Sequence, residues 1–276
     1  MGASALFFSL MAALAKVAGG SVPLFEIVFA RSFVVAVLSG TALLRAGSGF
    51  RGRETGLLLL RGVLGFGALT CFYYAVVHLP LADATVIHFT NPVYTAFIAA
   101  LVLGEHIGLL EALLVVSSLG GVVMVARPAV IFGGADFLDP VAVVVGLCGA
   151  LLSASAYVAV RRLRREPPML IVFYFATVCT VLSLPMLLAH PVLPGPHMWL
   201  VLVGVGVTTH LGQWMITWGF RLERAGRASA VGYLQIVFAA AWGWVLFREI
   251  PDFWTWAGAA VIVGSTLLLV RLHPVR

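Results

Sequence analysis

Ten apolar runs, each long enough to cross a hydrocarbon layer, occupy almost the whole of this 276-residue sequence. They fall at 2–18, 23–44, 56–77, 82–103, 108–126, 138–160, 169–189, 197–220, 227–247 and 253–270. A spanning helix needs about 20 mainly apolar residues, because in lipid every backbone N–H and C=O must be satisfied within the segment itself. With 62% of residues apolar and only 10% charged, the polar surface that a soluble domain requires is missing. The chain reads as an all-α integral membrane protein with ten transmembrane helices. Its connections are too short to hold a catalytic or nucleic-acid-binding domain, so the net charge of +6 concerns orientation in the bilayer and not a nucleic-acid partner. The first run starts at Met1 with no preceding Lys or Arg, and its AALAKVAGG end offers no cleavage context, so a retained helix is expected.

Ten crossings put both termini on one side. Arg45, Arg51, Arg53, the RRLRR run at 161–165, Arg221, Arg224, Arg227, Arg271 and Arg276 all fall in connections on that side. Opposite them stand Arg127 and Arg248, with Lys16 near that surface. The positive-inside rule then makes both termini cytoplasmic, in the cytoplasmic (inner) membrane.

An internal repeat runs at a constant offset of 144 residues. PLFEIVF at 23–29 faces PPMLIVF at 167–173, ADATVIHF faces GRASAVGY, Glu105 meets Glu249 and Arg127 meets Arg271. Each copy holds five spans, an odd number, so the second enters from the opposite side. The expected organisation is a first five-helix repeat at 1–127, a connecting loop at 128–137 and a second, inverted repeat at 138–276. Inverted repeats are the architecture of secondary transporters, with binding near the midplane at the repeat interface.

The phrases PLFEIVFARS, RGVLG at 61–65, YYAVVHLPLADATVIHFTNPVYT, GE at 104–105 and RP at 127–128 resemble the drug/metabolite transporter superfamily, EamA type. The likeness is greatest to the branch with group-G members of solute carrier family 35 and with bacterial carriers of S-adenosylmethionine, riboflavin or carboxylates. It implies a central cavity walled largely by the third, fourth, eighth and ninth helices. It implies no catalytic motif and no cofactor.

Polar residues inside spans mark where that cavity lies. At about 100° per residue, Thr85, His88, Asn91, Pro92 and Thr95 share one face of the fourth span. Pro92 cannot donate to the carbonyl of His88, which favours a bend at that point. In the eighth span Gly206, His210, Gln213, Trp214, Thr217 and Arg221 share a stripe, suited to stacking a solute on Trp214 and hydrogen-bonding it through Gln213 and His210. The repeat sorts these groups further. Asn91 recurs as Gln235 and Thr85 as Ser229, whereas His88 faces Gly232, His210 faces Phe66 and Arg31 faces Phe175. The candidate substrate residues are Arg31, Tyr73, Thr85, His88, Asn91, Thr95, His210, Gln213, Trp214, Thr217, Tyr233 and Gln235.

Arg31 lies eight residues past Pro23, too deep for an ordinary headgroup contact, so it pairs either with Glu26 or with an anionic group on the solute. Asp83, Glu105 and Glu249, at helix ends, read as caps or loop contacts. Cys71, Cys148 and Cys179 are isolated in different runs and lack metal-ligand spacing. The resulting expectation is a secondary transporter of a small polar metabolite, an anion or zwitterion such as a carboxylate or amino-acid-like compound, working by alternating access. A larger aromatic metabolite such as riboflavin or S-adenosylmethionine, or a passive pore, is the alternative. Proton coupling through histidine is open to this chain, and the small residues Gly146, Ala150 and Ala154 could pack helices within it or between two copies in a homodimer.

Overall fold

The computed structural model describes residues 1–79, 81–105, 108–126, 139–189, 194–248 and 253–271. Among them every regular element is α-helix. In chain order these are α1 (Gly2–Gly19), α2 (Leu24–Arg45), α3 (Thr55–His78), α4 (Leu81–His88), α5 (Asn91–Leu103), α6 (Leu109–Ala126), α7 (Pro140–Arg162), α8 (Pro168–Ala189), α9 (Pro196–Leu222), α10 (Ala225–Val231), α11 (Leu234–Phe247) and α12 (Phe253–Arg271). They form ten spans, since α4 with α5 and α10 with α11 are each one span broken in the middle. Eight spans meet the length and hydropathy of a crossing helix, and Leu109–Val125 and Phe253–Leu269 are shorter apolar helices. Arg127, Gly134, Glu249 and Arg276 lie outside the described residues, as does the side chain of Asp83.

The two halves match element by element. Adding the repeat offset to the bounds of α2 gives those of α8, and α4 and α6 likewise start where α10 and α12 do. The packing follows the same operator. The most extensive contacts are α3 with α7, whose counterpart is α9 with α1, and then α2 with α8 and α6 with α12, which pair with their own counterparts. Atomic detail repeats as well. A Cβ on Gly62 would lie 2.7 Å from Val178 Cγ2, and one on Gly206 would lie 2.4 Å from Val34 Cβ; Gly62 and Gly206 are repeat mates, as are Val34 and Val178. These glycines let α3 approach α8, and α9 approach α2, at contact distance. Near the other end of the axis, α6 and α12 cross backbone to backbone, with a Cβ on Gly121 meeting the Gly258 carbonyl oxygen at 2.8 Å.

Helix ends carry local signals. Asp139 caps α7 by accepting from the Val141 N–H at 3.0 Å, with Pro140 in the first turn where no N–H is needed. α5 and α11 end in left-handed residues at equivalent positions, Gly104 at φ 66° and Arg248 at φ 58°. Glycine adopts that conformation freely, while arginine is strained by it. The small-residue stripe of α7 is consumed within the chain: Ala150 and Ala154 are fully buried, and a Cβ on Gly146 would meet Ile87 and Ala75. Large apolar side chains such as Phe33, Phe97, Leu101, Leu200 and Trp244 face outward, as a lipid-solvated surface requires.

Candidate functional site

Both broken spans break at the same place. In the first, the His88 carbonyl that Pro92 cannot reach accepts instead from Asn91 Nδ2 at 3.0 Å. Thr90 Oγ1 donates to the Ile87 carbonyl at 2.6 Å, and Thr95 Oγ1 to that of Asn91 at 2.8 Å. The second break has no proline. Gly232 N–H donates to the Ser229 carbonyl at 2.9 Å, Tyr233 N–H to Ala230 at 3.1 Å and Gln235 N–H to Gly232 at 2.9 Å, so the helix tightens through three-residue bonds. The polar face expected along a continuous fourth helix is therefore split, with Thr85 and His88 on α4 and Asn91, Pro92 and Thr95 on α5.

Between the breaks lies a cavity of about 50 Å³. His88 and Asn91 line it from the first half, and Ser229, Gly232 and Gln235 from the second. Asn91 and Gln235 are repeat mates, so two amides face one space across the axis. Tyr157 of α7 closes one side, and Phe8 and Ile216 add apolar wall. Cavities that hold organic ligands run to roughly 300 Å³ and above, whereas this one has room only for water. Among the described residues, the space between the two breaks is closed in this conformation.

The other candidate residues are placed as follows. His88 lies against Phe72 with centroids 4.5 Å apart and the rings tilted by 48°. His210 Nδ1 lies 3.2 Å from Ser39 Oγ on α2, and Gln213 Oε1 accepts from Arg61 Nη2 at 3.3 Å. The stripe on α9 thus turns towards α2 and α3, where buried partners satisfy it, and does not join His88 and Asn91 at the cavity. Thr217 Oγ1 donates to the Gln213 carbonyl at 2.7 Å, and Trp214 is half-buried. Tyr233 is fully buried in an apolar cluster with Val122, Ile236 and Ile262, and Tyr73 and Thr85 are half-buried outside the cavity lining. Arg31 is buried on α2, its Nε without a hydrogen-bond partner.

Two features escaped the sequence reading. Arg61 sits six residues into α3 and is only 3% exposed, with its guanidinium 3.7 Å from the Phe175 ring centroid. In the sequence it appeared only as the first letter of RGVLG. The second is a clasp on the arginine-rich face. Arg161 Nε donates to Glu105 Oε1 at 2.9 Å, and Arg161 Nη1 donates to the carbonyls of Phe220 (3.2 Å) and Arg221 (2.8 Å). Glu105 Oε2 accepts from the Ala225 N–H at 2.9 Å, which caps α10. One ion pair thus ties together the ends of α5, α7, α9 and α10. Outside it opens a pocket of about 300 Å³ lined by Glu54, Arg162, Arg164 and Arg165.

Comparison with known proteins matches residues 1–127 and 140–271 to the model of the EamA-like transporter family. The chain is 36% identical to the Pseudopaline exporter CntI of Pseudomonas aeruginosa over 96% of its own length and 92% of that protein. It is 30% identical to human Solute carrier family 35 member G1 over 76% of its length and 60% of that relative. A crystal structure of a protein 22% identical superimposes with a TM-score of 0.84, covering 99% of this chain and 97% of that one, a likeness of fold.

Proposed function

The chain belongs to the EamA-like transporter family, a membrane transporter of a small molecule and not an enzyme, and from that premise we propose that it carries a small anionic or zwitterionic metabolite by alternating access. The observation that carries this reading is the closed polar cavity set at the two helix breaks, on the interface between the repeats. In the proposed cycle residues 1–127 and 138–276 rock against each other, so that the cavity opens first to one face and then to the other. His88, Asn91 and Gln235 contact the solute, while His210, Gln213 and Thr217 hold α9 in register with α2 and α3. The arginine-lined pocket outside the clasp concentrates anions at the cytoplasmic face of the inner membrane. A proton coupled to transport would reside on His88, the histidine of the cavity wall.

The relative that exports pseudopaline favours export of a similar metabolite. Counterflow in proteoliposomes tests this. Internal unlabelled pseudopaline should accelerate uptake of labelled pseudopaline, and uptake should saturate. Trans-stimulation by riboflavin or S-adenosylmethionine alone would reassign the substrate to a larger aromatic metabolite. Flux of pseudopaline without trans-stimulation or saturation would replace the carrier with a pore.

A further inference from the structure

We propose that Arg61 is the residue that receives the negative charge of the solute, binding a carboxylate when the cavity widens past Tyr157; this rests on the transport reading above. The first observation is an unmet charge. Arg61 is 3% exposed, its Nε and Nη1 have no hydrogen-bond partner, and among the described residues no carboxylate pairs with it. A buried guanidinium without a counter-ion is costly, and a carboxylate would supply both the missing charge and an acceptor for a free N–H.

The second observation is that the guanidinium is held in place. Phe175 lies against its face and Gln213 Oε1 takes Nη2. Gly65, one turn further along α3, leaves the space: a Cβ there would stand 2.6 Å from Arg61 Nη1 and 2.5 Å from the Phe175 ring. Glycine at 65 thus lets the guanidinium and the ring pack directly against α3, which fixes where the charge sits.

The third is location. Tyr157, which lines the cavity, stands on α7, the helix packed most extensively against the α3 that carries Arg61, and Ile216, another lining residue, lies one turn from Gln213 on α9. The repeat provides an internal control. The mates of Arg61 and Phe175 are Val205 and Arg31, so the fold accepts valine at the place equivalent to Arg61. The mate of Tyr157 is Ala13, which is not part of the cavity lining, so Arg31 lacks the corresponding link to the centre.

The experiment uses the purified full-length protein with glutarate and its uncharged analogue glutaramide, read as the concentration dependence of the melting temperature. Glutarate should stabilise the wild type and glutaramide should not. Arg61→Gln should weaken glutarate binding at least about tenfold, the worth of one charge-assisted hydrogen bond, and Arg61→Lys should retain part of it. Gln213→Glu sets a carboxylate beside Nη2; it should raise the melting temperature of the ligand-free protein and remove the glutarate response. If Arg61→Gln fails to fold, Gln213→Glu decides. A wild type indifferent to glutarate, or a response preserved in Arg61→Gln or Gln213→Glu, overturns the proposal. Pseudopaline counterflow separates the two readings. Counterflow undiminished in Arg61→Gln rejects Arg61 and leaves transport standing, whereas Arg61-dependent glutarate binding without counterflow keeps Arg61 and rejects pseudopaline as substrate.

Discussion

Replacing Glu105 by Gln should open the arginine-rich face while leaving the fold intact. The Arg161–Glu105 pair is 2.9 Å long, with the two side chains 15% and 13% exposed. Exposed pairs contribute about 0.2–1 kcal/mol, and breaking a fully buried one costs about 3–5, so a pair this sheltered should contribute about 2 kcal/mol to the closed form. At roughly 1.4 kcal/mol per decade, its loss shifts the closed-to-open ratio about thirtyfold. The reporter is a cysteine at Ser229, 5% exposed at the cavity, in a protein whose Cys71, Cys148 and Cys179 have been replaced. Its labelling by an impermeant maleimide from the arginine-rich side should accelerate by up to about thirtyfold in Glu105→Gln. Arg161→Gln should do more, because it also releases the Phe220 and Arg221 carbonyls. The double variant should add little to Arg161→Gln. An unchanged labelling rate, a rise that is equal from both sides, or strict additivity of the two substitutions would refute the clasp.

Three further outcomes are expected. Arg248→Gly removes a left-handed non-glycine residue and should stabilise the protein by about 1 kcal/mol, read as a raised melting temperature; no rise would mean that the arginine side chain offsets its own strain. Pro92→Ala restores an N–H for the His88 carbonyl, in competition with Asn91 Nδ2; it should add about 1 kcal/mol of stability and slow counterflow, and unchanged flux would show that the break is not used in transport. Cysteines placed at Arg162 and at Pro194 should label from opposite sides of the membrane, and labelling from the same side would contradict the ten-span topology.

The spans were legible because bilayer thickness imposes length and apolarity on each one separately. The repeat was legible because two copies of one fold keep the same residues where helices cross. The first break announced itself through Pro92, whose missing N–H is a property of one residue. The second, at Gly232, is made by three-residue bonds that no residue type dictates, and only its register with the first could have pointed to it. The polar stripe on α9 was visible as an arc, but an arc does not say which neighbour it meets: Gln213 turned out to bond Arg61, and His210 to bond Ser39. Tyr157 and Ser229 reach the cavity through packing between distant segments, and Arg61 was hidden because its lack of a counter-ion is a fact about its surroundings.

Two identical halves inserted in opposite orientations would give a machine with no preferred direction, its two open forms related by a two-fold rotation and equal in free energy. The clasp breaks that degeneracy. Glu105 and Arg161 close one face, while the repeat mate of Arg161 is Val17, which cannot form an ion pair at the other. The barrier on that face is therefore made in part of charge. Salt, which screens this pair, should speed opening of the arginine-rich face, so that the ionic composition of the compartment it meets bears on how often the carrier turns over.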